Sequence, residues 1–295
     1  MNRNRSALSL LSRVSLLAPA KLNLFLKVFG KRPDGYHDIR SIMAPVSLYD
    51  EVIVEKTLKG IVVECDAAGI PTDETNSCFR AASCFKEWSG FSGGVRIILR
   101  KNIPAEAGLG GGSSDAAAVL KCLSVLTGFQ PSPEEYIDMA SRIGADVPFF
   151  TLGTAALAEG RGETLTPIPL TIPFYAVIVK PCFGISTREG YAKLDRGAQP
   201  TPPKGNVPYF KDFADIASCV HNDFEEVLAR EFPEIVKIKN ELLSANAAVA
   251  GLSGSGSAMF GLFPSEEKAR EGLARMQSRT EGANARECFI AGSII

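Results

Sequence analysis

The sequence predicts an α+β protein organised in two domains. The chain has 295 residues, which is long enough for two domains or for one large domain. Its first half contains short segments in which apolar and polar residues alternate, as expected for β-strands. Its second half alternates strand-like and helix-like segments, which predicts a sheet with helices on one face.

The composition excludes several classes of protein. Hydrophobic residues make up 45% of the chain and charged residues 22%, values typical of a globular protein. The net charge of -1 gives no electrostatic reason to bind nucleic acid or an anionic membrane, and no apolar run is long enough to span a bilayer. Seven cysteines without a CxxC pair indicate reduced thiols, and the two histidines, His37 and His221, are too few for a histidine-rich metal site.

Residues 1–17 are predicted to be an N-terminal extension. They contain three arginines, several serines and no acidic residue, a composition that is also typical of an organelle-targeting peptide. Arg13 interrupts the apolar stretch, and free cysteines fit poorly with secretion. We therefore expect a cytoplasmic protein, with organelle targeting as the alternative.

The first strand is predicted in the segment AKLNLFLKV. Because strand side chains alternate, Leu22, Leu24, Leu26 and Val28 share one face, while Lys21, Asn23, Phe25 and Lys27 share the other. A turn at residues 31–37 follows, with Pro, Asp and Gly at its centre. Three further strands rich in β-branched residues are predicted at residues 50–56, 60–66 and 94–101.

The first helix is predicted directly after the glycines of residues 108–112, with Ala116 to Leu126 as its body. Residues 113–115 are of the types that cap helices, and Gly128 is a stop signal. A second helix is predicted from Ser132, with Pro133 at its first position and Glu135 completing a capping box, and it runs to about Arg142.

The prolines in residues 166–173 suggest a domain boundary near 170. Beyond it the pattern predicts a buried strand at residues 174–180 and a Pro- and Gly-rich loop at residues 197–208. The remaining predicted elements are a helix at residues 232–245, a strand at 257–263, a helix at 265–276 and a strand at 286–292.

The segment Gly108-Leu109-Gly110-Gly111-Gly112 predicts a binding site for a phosphate group. A helix N-terminus presents unbonded amides and partial positive charge, and glycines allow close approach of a polyanion. A simple strand-to-helix turn is the alternative, but one or two glycines would satisfy it. The spacing matches neither the Walker A pattern nor the Rossmann pattern.

Other motifs have structural explanations when each is taken alone. The turn at residues 251–257 is a second Gly/Ser nest, or a flexible hairpin loop. Asp146 follows a predicted helix and suits a turn or cap. Lys21 and Asn23 suit a solvated strand edge, and His37 suits a loop.

Taken together, the segments APAKLNLFLKV, RPDGYH, NIPAEAGLGGGSSDAAA, IGADVPFF and GLSGSGS resemble the GHMP kinase superfamily in identity and order. The combination of AKLNL, DGYH and GADVP is most similar to the family of 4-diphosphocytidyl-2-C-methyl-D-erythritol kinases. The resemblance runs from about Ala18 to about Phe263.

This resemblance implies a ribosomal protein S5-like domain at residues 18–170 and a ferredoxin-like domain at residues 171–295, with the ATP and substrate sites in the cleft between them. It implies transfer of the γ-phosphoryl of ATP to the 2-hydroxyl of 4-diphosphocytidyl-2-C-methyl-D-erythritol, a step of non-mevalonate isoprenoid synthesis. The expected partners are this small molecule and ATP with Mg²⁺, not nucleic acid or a membrane, and the expected state is a monomer or a weak homodimer.

The resemblance also implies roles for individual residues. Asp146 would be the general base, with Lys21 assisting it. The substrate would contact Asn23, Tyr36, His37, Thr187 and Tyr191. ATP would contact Asn76, Lys101, Gly108, Leu109, Gly110, Gly111, Gly112, Ser113, Ser114, Ser253, Gly254, Ser255 and Gly256. Ser113 and Ser114 are the candidate ligands of Mg²⁺.

One departure from the pattern is Glu106-Ala107, where many relatives have further glycines. A carboxylate beside a triphosphate is unfavourable unless it points away or meets a metal ion. Two alternatives remain open: another small-molecule kinase of the same superfamily, and a nucleotide-binding regulator that has lost catalysis.

Overall fold

A computed structural model describes residues 11–194, 206–278 and 286–295. Most of the predicted loop at residues 197–208 and residues 1–10 of the predicted extension lie outside this range. The chain forms two compact units. The first unit comprises the described part of Met1–Ala20 with Tyr49–Ile103 and Gly110–Gly153, and the second comprises Lys21–Leu48, Pro104–Leu109 and the described part of Thr154–Ile295.

Two long strands, β1 (Arg13–Lys31) and β2 (His37–Thr57), run through both units. In the first unit, the end of β2 pairs antiparallel with β4 (Gly94–Arg100), from Glu51 opposite Arg100 to Thr57 opposite Gly94. Strand β3 (Ile61–Cys65) lies parallel to β4. The three strands predicted from β-branched residues are confirmed.

The helices of the first unit are α1 (Ser77–Ser89), α2 (Gly111–Thr127), α3 (Pro133–Ile143) and α4 (Val147–Leu152), and α2 packs against α1 and α4. The expectation that the first helix follows the glycines is wrong, because α1 precedes them. Asn76 caps α1, Gly90 ends it in the left-handed conformation, and its apolar face is buried.

The glycine helix begins earlier than predicted. Gly110, with a φ of 75°, is the N-cap of α2, so the cap-type residues 113–115 lie inside the first turns instead of before them. The predicted stop at Gly128 and the predicted capping box of Ser132 and Glu135 in α3 are confirmed.

In the second unit, β1 pairs parallel with the two-residue strand β8 (His221–Asn222), and the start of β2 pairs antiparallel with β5 (Ala156–Gly160). Strand β6 (Thr164–Pro167) forms a hairpin with β5. An antiparallel sheet in the order β11-β7-β10-β9 completes the strands, with bounds Glu287–Gly292, Tyr175–Lys180, Met259–Phe263 and Val249–Leu252.

Helices α8 (Pro233–Ser244) and α9 (Glu266–Gln277) pack on this sheet, which confirms the predicted sheet-and-helix layer. The core of the second unit includes Val177, Val179, Leu242, Met259 and Phe263, all less than 1% exposed. The shorter helices α5 (Thr187–Leu194), α6 (Phe213–Ser218) and α7 (Asp223–Glu231) were not predicted. No helix in the described part of the chain is long and apolar enough to cross a membrane.

Candidate active site

The part of the polar face of β1 that carries Lys21 and Asn23 is buried, so it is not a solvated strand edge, whereas Lys27 on the same face is exposed. Lys21 is 3% exposed and Asn23 is 4% exposed, although the opposite face, with Leu22 and Leu24, is also fully covered. The Lys21 ammonium donates a hydrogen bond to Asn23 Oδ1. A buried cation needs such polar partners, because burial disfavours an unpaired charge. Strand β1 therefore places a positive charge inside the second unit.

The first half of the glycine motif belongs to the second unit and is held there through its carbonyl groups. The backbone amide of Lys21 donates to Leu109 O at 2.9 Å, and Ser253 Oγ donates to Gly108 O at 3.0 Å. The amide of Ala258 donates to Ala107 O at 3.1 Å. The start of the glycine motif and the Gly/Ser turn at residues 251–257, which are far apart in sequence, are thus in direct contact.

Gly108 must be glycine for two reasons. Its φ is 72°, in the left-handed region, and a Cβ atom on it would lie 2.0 Å from the carbonyl oxygen of Ser253. The close approach of the two motifs therefore depends on the absence of a side chain at this position.

Glu106 also has a left-handed backbone, with a φ of 51°. Its carbonyl accepts hydrogen bonds from the amides of Ile185 and Ser257, each at 3.3 Å. Its carboxylate packs against Gly184, where an added Cβ would lie 2.3 Å from Oε2. The backbone bonds fix the conformation of Glu106, and its side chain covers the backbone of Gly184.

The second half of the motif begins helix α2 in the first unit. The amides of Ser113 and Ser114 donate to Gly110 O at 3.1 and 2.9 Å, which closes the first turn. The earlier amides, at Gly111 and Gly112, have no partner within the helix ladder. Nothing lies within 4 Å of a Cβ placed on Gly112, so this end of the 17-residue helix is open to a ligand.

Lys101 lies in a buried ionic cluster beside α2. Its ammonium donates to Asp50 Oδ2 and Asp115 Oδ2. Asp50 Oδ1 accepts from the amides of Asn102 and Ile103, at 2.6 and 2.8 Å. Burial raises the pKa of Asp115 to about 7, since the ammonium that opposes this rise is shared with a second carboxylate. Lys101 therefore links Asp50 of β2 to Asp115 of α2. Its predicted contact with ATP stays a prediction.

Two buried oxygen atoms next to the cluster have no hydrogen-bond partner among the described residues: Ser114 Oγ and Asp115 Oδ1. A buried polar atom without a protein partner is uncommon, and such an atom is able to bond an added polar group. Across the described ranges, no group of three or more His, Cys, Asp or Glu side chains is placed to hold a metal ion. Ser114 is thus the predicted ligand whose surroundings best fit an added polar group.

Asp146 precedes α4 but does not cap it. Its φ is −88°, its side chain makes no capping hydrogen bond, and it is half-buried. The alternative that it is a helix cap is not supported. Asn76 differs, because its Oδ1 caps α1 at Cys78 N and its Nδ2 donates to Pro71 O. Its predicted contact with the nucleoside stays a prediction.

An aromatic cluster in the second unit contains two of the predicted substrate residues. The rings of His37 and Tyr191 are stacked, with centroids 5.4 Å apart, and Tyr191 meets Phe224 edge to face at 4.9 Å. His37 Nδ1 lies 2.9 Å from Phe29 O. A carbonyl only accepts, so Nδ1 carries the hydrogen, and Nε2 of the neutral ring is an acceptor.

Tyr36 is 57% exposed, and the guanidinium of Arg161 lies 5.1 Å from the centre of its ring. Thr187 begins α5, and its hydroxyl accepts from Ser255 Oγ at 3.3 Å. A residue of the second Gly/Ser motif therefore meets a predicted substrate residue.

Sequence reasoning missed two supporting residues. Arg161 lies between Gly160 and Gly162, which both have a positive φ. The Gly-Arg-Gly turn was the sequence signal that could have identified Arg161. Asn222 Nδ2 donates to Leu252 O and Gly254 O at 2.7 and 2.8 Å and so fixes the second Gly/Ser turn, for which the local sequence gave no signal.

Comparison with known proteins shows the family to which this chain belongs. Residues 76–154 match the family model of the GHMP kinases N terminal domain, and residues 206–281 match that of the GHMP kinases C terminal domain. A 4-diphosphocytidyl-2-C-methyl-D-erythritol kinase from Geobacter metallireducens is 44% identical over 261 residues, which cover 87% of this chain and 92% of the relative. The one from Acetivibrio thermocellus is 39% identical over 288 residues, 95% and 99% of the two chains. The chain belongs to the 4-diphosphocytidyl-2-C-methyl-D-erythritol kinase family of the GHMP kinases.

Solved structures show the same fold. A crystal structure of 4-(cytidine 5'-diphospho)-2C-methyl-D-erythritol kinase, 35% identical, superposes with a TM-score of 0.78 and covers 95% of this chain and 99% of its own. The homoserine kinase of Cytophaga hutchinsonii, 18% identical, has a TM-score of 0.74 and shares the fold, covering 99% and 98% of the two chains. The protein is therefore a small-molecule kinase with the two-domain GHMP fold, and ATP is its co-substrate.

Proposed function

We propose that this kinase transfers the γ-phosphoryl group of ATP to the 2-hydroxyl of 4-diphosphocytidyl-2-C-methyl-D-erythritol, in the non-mevalonate synthesis of isoprenoid precursors. The observation that carries the substrate assignment is the aromatic cluster. His37 offers an acceptor nitrogen beside a stacked ring, and the amino group of cytosine is a hydrogen-bond donor. The names of the relatives support the same substrate.

In this proposal, His37 Nε2 accepts from the cytosine amino group, while the exposed ring of Tyr36 and the ring of Tyr191 stack on the base. Asn23 and Thr187 contact the methylerythritol part. Asn23 Oδ1 already accepts from Lys21, and its second lone pair suits a substrate hydroxyl.

Asp146 is proposed as the general base that takes the proton of the attacking hydroxyl. Its carboxylate is half-buried in the turn before α4, and its place in the segment IGADVPFF matches the position of the base in the family. Lys21 would assist by stabilising the charge that develops on the attacking oxygen.

The triphosphate is proposed to bind to the glycine motif, Gly108 to Ser114, at the open N-terminus of α2. The turn from Ser253 to Gly256, Asn76 and Lys101 are proposed as further contacts of ATP. We propose that Mg²⁺ accompanies the triphosphate. Ser113 and Ser114 are its candidate ligands, since magnesium prefers oxygen and Ser114 Oγ has no partner in the described structure.

We further propose domains at residues 18–170 and 171–295 after an extension at 1–17, and a cytoplasmic monomer or weak homodimer. The small net charge of -1 supports the expectation that neither nucleic acid nor a membrane is a partner.

The test is release of ADP by the purified protein with Mg²⁺, ATP and a panel of acceptor alcohols. We expect turnover with 4-diphosphocytidyl-2-C-methyl-D-erythritol. Turnover with only mevalonate, homoserine or a sugar would show that the substrate is wrong. ATP binding without turnover on any acceptor would identify a nucleotide-binding regulator instead.

A further inference from the structure

The side-chain amide of Asn23 is bonded at both of its ends. Oδ1 accepts from the Lys21 ammonium, and Nδ2 donates to the hydroxyl of Ser41 at 2.7 Å. The Ser41 hydroxyl in turn donates to the carbonyl of Phe25 at 2.7 Å. The four groups form a continuous chain, Lys21 to Asn23 to Ser41 to Phe25, within the second unit.

The hydrogen bonds of this series can run in one direction only, from Lys21 to Phe25. The ammonium of Lys21 only donates and the carbonyl of Phe25 only accepts. Asn23 must therefore turn Oδ1 towards Lys21, which leaves Nδ2 facing Ser41. The Ser41 hydroxyl must then accept from Asn23 and give its hydrogen to Phe25. The orientation of the Asn23 amide is thus fixed by chemistry at both ends.

The side chains of this hydrogen-bond series are also shielded from solvent. Lys21 is 3% exposed, Asn23 4% and Ser41 0%. Ser41 lies in the paired part of β2, opposite Ala158 of β5, so its backbone is held by the sheet. Buried hydrogen bonds of this kind are stronger than exposed ones, and a buried donor left without a partner is costly. Water does not readily replace Ser41 as the acceptor.

We propose that Ser41 is a positioning residue for catalysis. In the proposed function, Ser41 touches neither the substrate nor ATP. The kinetic effect expected of Ser41 rests on that proposed function. Ser41 acts through Asn23: by fixing the amide, it keeps Oδ1 against the Lys21 ammonium and so holds that cation where the attacking oxygen needs it. Without the hydroxyl, Nδ2 loses its buried acceptor, so the amide shifts towards another acceptor and takes Oδ1, and with it the ammonium, out of position.

The kinetic test is Ser41→Ala. We expect kcat to fall by about 10-fold to 100-fold, since a misplacement of about 1 Å in a catalytic group has an effect of that size. The KM for ATP should stay unchanged. The matched control is Ser124→Ala, which removes another buried serine hydroxyl that donates to a backbone carbonyl, Leu120 O at 3.0 Å, in the first unit. Its kcat should match the wild type.

A double-mutant cycle separates positioning from general destabilisation. If Ser41 acts through Asn23, then Ser41→Ala should lower kcat in the wild type but not in an Asn23→Ala background. Equal effects in both backgrounds would overturn the proposal, as would a wild-type kcat in Ser41→Ala. If Ser41→Ala does not fold, Ser41→Cys keeps the volume with a weaker acceptor, and the same cycle applies with a smaller effect.

Hydrogen exchange of the Asn23 side-chain NH₂ group, followed by NMR, gives a readout that does not depend on the substrate. We expect slow exchange in the wild type and Ser124→Ala, and faster exchange in Ser41→Ala. Unchanged exchange in Ser41→Ala would overturn the proposal even if the proposed substrate is correct. A wild type that is inactive on this substrate, with exchange that does respond to Ser41, would instead mean that the proposed function is wrong.

Discussion

At the scale of the residue, the chemistry proposed for this kinase depends on one buried cation and one carboxylate. Lys21 is held in the second unit by Asn23, and Asp146 stands at the start of α4 in the first unit without capping it. Both roles were predicted from the resemblance to the GHMP kinases, because each residue taken alone suited a turn or a strand edge; phosphoryl transfer needs such a base and such a positive charge. Two supporting residues were not predicted, because they belong to no motif: Ser41, which accepts from Asn23, and Asn222, which fixes the second Gly/Ser turn.

Replacing the base tests its role directly. We expect Asp146→Asn to lower kcat by about 10²-fold to 10⁴-fold, because the amide cannot take the hydroxyl proton. ATP should still bind, as measured by calorimetry with a non-hydrolysable analogue. A variant with wild-type turnover would mean that another group is the base.

Tyr36→Ala should act on binding instead of on chemistry. Loss of a stacked aromatic ring weakens binding by about 1–3 kcal/mol, so the KM for the cytidyl substrate should rise by about 5-fold or more while the KM for ATP stays the same. Steady-state kinetics with each substrate varied in turn measures both. A fall in kcat alone would contradict the stacking role.

At the scale of the element, the glycine motif is two structures joined end to end. Gly108 and Leu109 are bonded into the second unit by their carbonyls, and Gly110 caps α2 in the first unit. The sequence predicted the helix, its stop and its affinity for phosphate from local rules. It did not predict the contact of Gly108 with Ser253, 145 residues away, because no local pattern encodes that contact.

Gly108→Ala and Gly112→Ala form a matched pair that tests this division. At Gly108 an added methyl would meet the Ser253 carbonyl at 2.0 Å in a left-handed conformation, so we expect a loss of about 2–4 kcal/mol of unfolding free energy. At Gly112 a methyl meets nothing within 4 Å, and Ala is the better helix former, so stability should stay the same or rise by about 0.5–1 kcal/mol. Urea unfolding compares the two, and equal losses would contradict the account.

Lys121 on α2 gives a prediction about pH. Its ammonium donates to Phe150 O of α4 at 2.8 Å, and burial lowers the pKa of Lys121 below its usual value of 10.5. Between the folded and the unfolded pKa, the unfolded chain binds more protons, so this group makes the fold more stable as pH rises through that interval. The unfolding free energy of the wild type should therefore rise relative to Lys121→Met as pH rises towards 10.5. A constant difference between the two proteins would show that burial does not shift this lysine.

At the scale of the whole molecule, the order of the main strands and helices was largely predicted, because long amphipathic segments with caps are local signals. Helix α3 with its capping box and helix α9, capped by Ser265, are examples. The shortest elements were missed: β8 has two residues, and its pairing with β1 joins residues far apart in sequence, which no local signal predicts. The division into two units was also not predictable in detail, since β1 and β2 each begin in one unit and end in the other.

The most direct test of the central claim is the identity of the product. Wild-type enzyme is incubated with Mg²⁺, ATP and 4-diphosphocytidyl-2-C-methyl-D-erythritol labelled with ¹³C at C2, and the product is followed by ³¹P and ¹³C NMR. The account predicts one new phosphomonoester with carbon–phosphorus coupling at C2, an intact diphosphate, and one ADP for each product formed. A phosphate on any other hydroxyl, or ADP with free phosphate and unchanged substrate, would contradict it.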